Sequence, residues 1–114
     1  MDMLAVSRER GVAVVAPTLR RLDASAAPAF RQAVVQVIEG GETRVVLDLA
    51  QVEFLDSSGL GAMVSILKAL GNRGSVAVCN ARGAVLSLFQ LTRMDKVFTI
   101  VGSCDEAVAR LAGE

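Results

Sequence analysis

The chain contains no histidine, no tyrosine and no tryptophan. Without histidine, neither a Ser-His-Asp nor a Cys-His nucleophile can be assembled, and a histidine-bearing metal site is excluded. The two cysteines, Cys79 and Cys104, stand far apart with no paired spacing. They read as buried or half-buried free thiols, and the arrangement argues against a structural zinc site. Charge is not in excess either: 12 basic residues meet 12 acidic ones, and Arg20-Arg21 is the largest basic cluster. Nucleic-acid binders carry a basic face, so DNA and RNA are not expected partners. Apolar runs are broken by Asp, Glu, Arg or Gly well short of membrane-spanning length. The start, Met1-Asp2-Met3-Leu4, has neither the basic region nor the apolar core of a signal peptide. A soluble, cytoplasmic protein without a membrane partner is expected.

What is present is apolar content. Hydrophobic residues make up 53% of 114 positions, enough for a core and too much for a disordered chain. The length suits one domain over residues 1–114. Leu4 to Arg10 and Val12 to Ala16 read as strands of a hairpin turning at Gly11, with Pro17 ending the second. Asp23 or Ser25 can cap a helix that tolerates Pro28 in its first turn, buries Ala27, Phe30, Val34 and Ile38, and stops at Gly40-Gly41. Arg44 to Leu49 is nearly continuous and β-branched, as expected of a strand covered on both faces.

After Gly59, Leu60, Met63, Val64, Leu67 and Leu70 have helical spacing, ending at Gly71-Asn72-Arg73-Gly74. Ser75 to Cys79 is a strand, and Asn80 can cap a helix through Val85, Leu88, Phe89 and Leu91. Val97 to Val101 is a last strand, and Ser103 to Glu106 has capping-box spacing before a final helix. The predicted order is β-β-α-β-α-β-α-β-α. That alternation implies an α/β fold with a mostly parallel sheet, helices packed against it and a hairpin at one edge.

The informative segment is Asp56-Ser57-Ser58-Gly59-Leu60-Gly61, between the buried strand and an amphipathic helix. Asp and Ser cap helices routinely and Gly supplies the turn, so helix initiation alone accounts for the composition. The alternative is a modifiable hydroxyl: a phosphate at a helix N-terminus meets unpaired N–H groups, while Asp56 beside it repels the new charge. Gly59-Leu60-Gly61 is not a nucleotide loop, because Val64 stands where a third glycine belongs and no phosphate-loop motif occurs. Gly61 is expected to let the helix approach the sheet. Asp48 either bonds the loop after its strand or pairs with Asp56 as an acid/base couple, for which no completing lysine, histidine or ligand set is visible.

These residues resemble a known family. Val46-Leu47-Asp48-Leu49, Phe54 to Ala62, and Val78-Cys79-Asn80 with Val85, Leu88 and Phe89 are similar to a STAS domain, closest to stand-alone bacterial anti-sigma factor antagonists. The resemblance implies a non-enzymatic partner switch without a cofactor. In such proteins the first serine of the motif, here Ser57, is phosphorylated by a serine kinase of the GHKL type that doubles as the anti-sigma factor; Ser58 is its competing neighbour. The unmodified form binds the kinase and frees the sigma factor, and a PP2C-type phosphatase restores that form after phosphorylation. The resemblance also implies a partner surface of Asp23, Asp48, Asp56, Ser57, Ser58, Gly59, Leu60 and Gly61. Edge strands leave room for a weak homodimer.

The family often carries Gly-Glu or Gly-Arg where Arg20-Arg21 stands here, and a small residue at Arg93. Two arginines beside the motif would change partner matching and offer a phosphate a counter-charge. A second implied role is a constitutive STAS subunit of a lipid-transport ABC complex or of another signalling assembly. Co-purification with an ATPase rather than a kinase separates the two.

Overall fold

The computed structural model describes residues 3–114. A five-stranded sheet runs in the order β1 (Leu4–Glu9), β2 (Val12–Pro17), β4 (Arg44–Asp48), β6 (Ser75–Cys79), β7 (Thr99–Val101). Only the β1–β2 pairing is antiparallel; the other neighbours are parallel. Arg10 and Gly11 turn the hairpin with φ of 54° and 79°, the two positive values that a two-residue loop matched to strand twist requires. Helices α1 (Ala27–Glu39), α2 (Ser57–Leu70) and α3 (Gly83–Leu91) connect successive parallel strands, and α4 (Cys104–Ala112) follows β7.

Strand alternation divides the core in two. Val15, Val45, Leu47, Val76 and Val78 point to one face, where they meet Phe30, Val34, Met63, Ile66 and Phe89 of the three connecting helices. Val12, Val14, Val46, Ala77 and Cys79 point to the other, which α4 covers alone with Ala107 and Val108. Val45, Val46 and Leu47 are consequently all buried, which is why β4 reads as a continuous apolar run. The larger side also holds an edge-to-face pair, Phe89 and Phe98, with ring centroids 5.9 Å apart.

Two short strands escaped the sequence pattern. Arg21–Leu22 forms a two-residue strand, β3, that pairs in parallel with Phe54–Leu55, β5, outside the main sheet. Strands this short have no periodicity to read. Two expected caps are also corrected. The residue before α1 is Ala26, with no side-chain cap, and Asp23 instead accepts hydrogen bonds from the backbone and hydroxyl of Ser25. Asn80 does not cap α3, which starts after Arg82; it takes a φ of 61° and sends its amide to Asp48. Arg93 also takes a positive φ, 64°, which gives a physical reason for a small residue to be favoured there.

The expected cap of α4 is present: Ser103 Oγ accepts from the Glu106 N–H at 3.1 Å. Glu106 does not return the bond and reaches Arg110 instead. Replacing Ser103 with Ala should therefore cost about 1 kcal/mol, read as a lower urea midpoint with an unchanged slope.

Candidate functional site

Strand β5 leaves Leu55 buried and delivers the chain directly into α2 through Asp56, whose extended backbone makes it the N-cap. Asp56 Oδ1 accepts from the Gly59 N–H at 3.0 Å, and its carbonyl accepts from the Leu60 N–H. The other carboxylate oxygen, Oδ2, accepts from the Ala24 N–H at 3.2 Å. One side chain thus satisfies an otherwise orphan donor of the helix and ties the loop before α1 to it. The helix begins two residues earlier than the apolar periodicity suggests, so Ser57 and Ser58 occupy its first turn. Both are exposed.

Gly59 explains how the parts come so close. A Cβ there would collide with the Leu22 carbonyl oxygen and stand 2.6 Å from Leu55 Cδ1. The helix packs directly on the β3–β5 pair at a position only glycine can fill. Gly61, expected to make this approach, is exposed and a Cβ on it would meet nothing within 4 Å. The close approach belongs to the other glycine of the motif.

Gly61 instead lines an open groove of about 390 Å³ between α1 and α2, with Ala24, Pro28, Arg31, Ser58 and Ser65 along it. Asp23, the residue before the groove-lining Ala24, is half-buried, with its carboxyl held below the ordinary range by the Ser25 hydroxyl and further hydrogen bonds. Arg20 and Arg21 already have partners. Arg20 faces Glu53 at 3.4 Å; Arg21 lies 4.1 Å above the Phe54 ring and 3.4 Å from Asp23. These contacts are exposed, so they hold the arginines weakly.

The structure therefore brings together Asp23, Asp56, Ser57, Ser58 and Gly61 of the expected partner surface. Gly59 and Leu60 are buried beneath that surface and support it from below. Asp48 is not part of it. Its side chain lies on the α4 side of the sheet, where it accepts from the Ala50 N–H and the Asn80 amide. Its carboxylate and the Cys79 and Cys104 sulfurs lie within 4.8 Å of one another. Burial, then the Asp48 carboxylate, push the Cys79 thiol well above its usual range. Asp48 faces α4 while Asp56 is engaged by Gly59 and Ala24, so the two do not form an acid/base couple. Sequence reading took the cysteines singly. The available signal was positional: Asp48 and Cys79 both end apolar strands, and Cys104 opens the helix after the last strand.

Among known proteins, a family model described as the STAS domain matches residues 5–107. The chain is 30% identical over 111 residues to the anti-sigma-F factor antagonist RsfB of Mycobacterium tuberculosis, covering 96% of this chain and 89% of that one. With BtrV of Bordetella bronchiseptica it shares 29% identity over 73 residues, 63% of either chain. A crystal structure of an anti-sigma factor antagonist from Mycobacterium paratuberculosis superposes with a TM-score of 0.86 at 32% identity, covering 95% of this chain and 92% of the other. The chain belongs to the STAS-domain family. RsfB and the Mycobacterium paratuberculosis protein are both anti-sigma factor antagonists, regulatory proteins rather than enzymes. No helix among the described residues is long and apolar enough to cross a membrane.

The two motif glycines predict opposite responses to one substitution. Gly59→Ala should destabilise by about 1–3 kcal/mol through the collision with Leu22. Gly61→Ala should stabilise by about 0.5–1 kcal/mol, because it removes a helical glycine without a clash. Chemical unfolding of both variants beside the parent checks the signs. Asp56→Ala should cost about 2 kcal/mol, since it frees the Gly59 and Ala24 N–H groups together.

Proposed function

We propose that this chain is an anti-sigma factor antagonist whose binding surface is the exposed start of α2 with the adjoining groove. The observation that carries the reading is the pairing of an exposed hydroxyl with a fixed backbone. Ser57 stands free on the first turn of a helix whose N-terminus Asp56 and Gly59 anchor to two other segments. A docking partner meets a pre-formed surface there and need not order it.

Ser57 is the residue assigned to phosphorylation. Ser58 lines the groove between the helices, whereas Ser57 does not, leaving Ser57 the freer to enter a kinase active site. Transfer replaces the Oγ–H bond with an Oγ–P bond and adds about 1.5–2 negative charges. Those charges arise next to the Asp56 carboxylate that caps the same turn, while Arg20 and Arg21 each already face a carboxylate. A partner surface matched to the neutral hydroxyl would meet concentrated negative charge, which weakens the complex without unfolding this chain. The partner is an anti-sigma factor that is also a serine kinase of the GHKL type, and a PP2C-type phosphatase removes the phosphate.

Incubation with such a kinase and ATP should add one phosphoryl group to the parent chain, seen by intact mass, and none to Ser57→Ala. Addition to Ser57→Ala at the parent's rate would move the site to Ser58. In a titration against the kinase, Ser57→Asp should bind at least roughly tenfold more weakly than the parent, a change of about 1.4 kcal/mol. Equal affinity would remove the switch from the proposal.

A further inference from the structure

The second cluster lies across the sheet from the proposed switch. Asp48 ends β4 and Cys79 ends β6, and the two are register partners in adjacent parallel strands. Paired residues in neighbouring strands point to the same face, here the face covered by α4. Cys104, the first residue of α4, closes the third side. Ligand sites in open parallel sheets gather outside the carboxyl ends of the strands, which is where this group stands.

We propose that Asp48, Cys79 and Cys104 form a binding site for a thiophilic divalent cation, zinc(II) being the best match. The donor set is two sulfurs and one carboxylate oxygen, all within 4.8 Å of one another. Zinc holds sulfur at about 2.3 Å, so tetrahedral sulfur ligands stand roughly 3.8 Å apart, and a small contraction of the cluster meets that geometry. A three-ligand set leaves the fourth position to water. The carboxylate is already oriented as a ligand should be: the Asn80 amide donates to Asp48 Oδ1 at 2.9 Å and lies 3.9 Å from Cys79 Sγ.

That contact gives the positive φ of Asn80 a purpose, since it turns the amide back over the strand ends. Carboxylates of Glu9 and Asp105 also act on Cys104, although Asp105 is shared with Arg10. Cys79 is fully buried, while Cys104 and Asp48 are half-buried, so an ion enters from their side. The sequence alone argued against such a site because the cysteines are remote; the fold cancels that separation. On binding, each thiol loses its S–H proton to buffer as a Zn–S bond forms, with no change in oxidation state.

The test uses the full chain, reduced and stripped of metal with a chelator, titrated with zinc chloride. Expected are one equivalent of zinc, release of about two protons, and a rise in thermal midpoint that magnesium does not reproduce. Cobalt(II) in place of zinc should give the near-ultraviolet charge-transfer band of thiolate ligation. Cys104→Ala should cut that band to half or less and weaken zinc binding more than roughly tenfold. Asn80→Gly keeps the positive φ and removes only the amide, and should weaken binding by about tenfold while both thiolates remain. Circular dichroism confirms that each variant is folded. Absence of stoichiometric zinc binding, a cobalt complex without the thiolate band, or equal affinity in Cys104→Ala would overturn the assignment.

Discussion

The Asp56 carboxylate is the contact on which the proposed binding surface depends. One oxygen holds the first turn of α2 through Gly59, and the other holds the loop ahead of α1 through Ala24. The residues facing each other at that end of the two helices are small: Ala24, Ala27, Gly61 and Ala62. Small residues keep the groove open, and the bridging carboxylate keeps it from drifting. Gly59 supplies the steric half of the same constraint by admitting the Leu22 carbonyl where any side chain would stand. The two-stranded β3–β5 ribbon is the platform beneath both.

That platform and the main sheet have different tasks. The main sheet buries a valine-rich layer on each side and provides stability. The ribbon adds little apolar area, but it fixes where α2 starts relative to α1. Strand alternation then separates two groups of polar residues that lie close in sequence. Asp48 and Asp56 are eight positions apart, yet Asp48 follows the even-numbered face of β4 toward α4, and Asp56 emerges beyond β5 on the opposite side.

Residue patterns made the architecture readable wherever burial was two-sided or periodic. Val45 to Leu47 and Val76 to Cys79 could hardly be anything but central strands, and Phe30, Val34 and Ile38 announced α1. Legibility failed where a few hydrogen bonds decide the geometry. The β3–β5 pair is too short for a pattern. Asn80 and Asp23 have the composition of helix caps but spend their side chains on tertiary or turn contacts. The motif itself was visible, and so was its helix-initiating character. Which glycine packed and which lined the groove was not, because that depends on the path of Leu22, thirty-seven residues earlier in the chain.

Charge neutrality gives the motif its leverage. With 12 cations balancing 12 anions, the chain has no strong background field for a partner to sense at a distance. At physiological ionic strength, interactions between exposed charges fade over about 8 Å. A phosphate on Ser57 would therefore act on what touches the start of α2 and leave the rest of the molecule electrostatically unchanged. A switch built this way needs no conformational relay: the helix N-terminus stays where Asp56 holds it, and the partner responds to the altered surface. The rigidity that Gly59 and Asp56 impose is thus what confines the proposed regulation to chemistry at one hydroxyl.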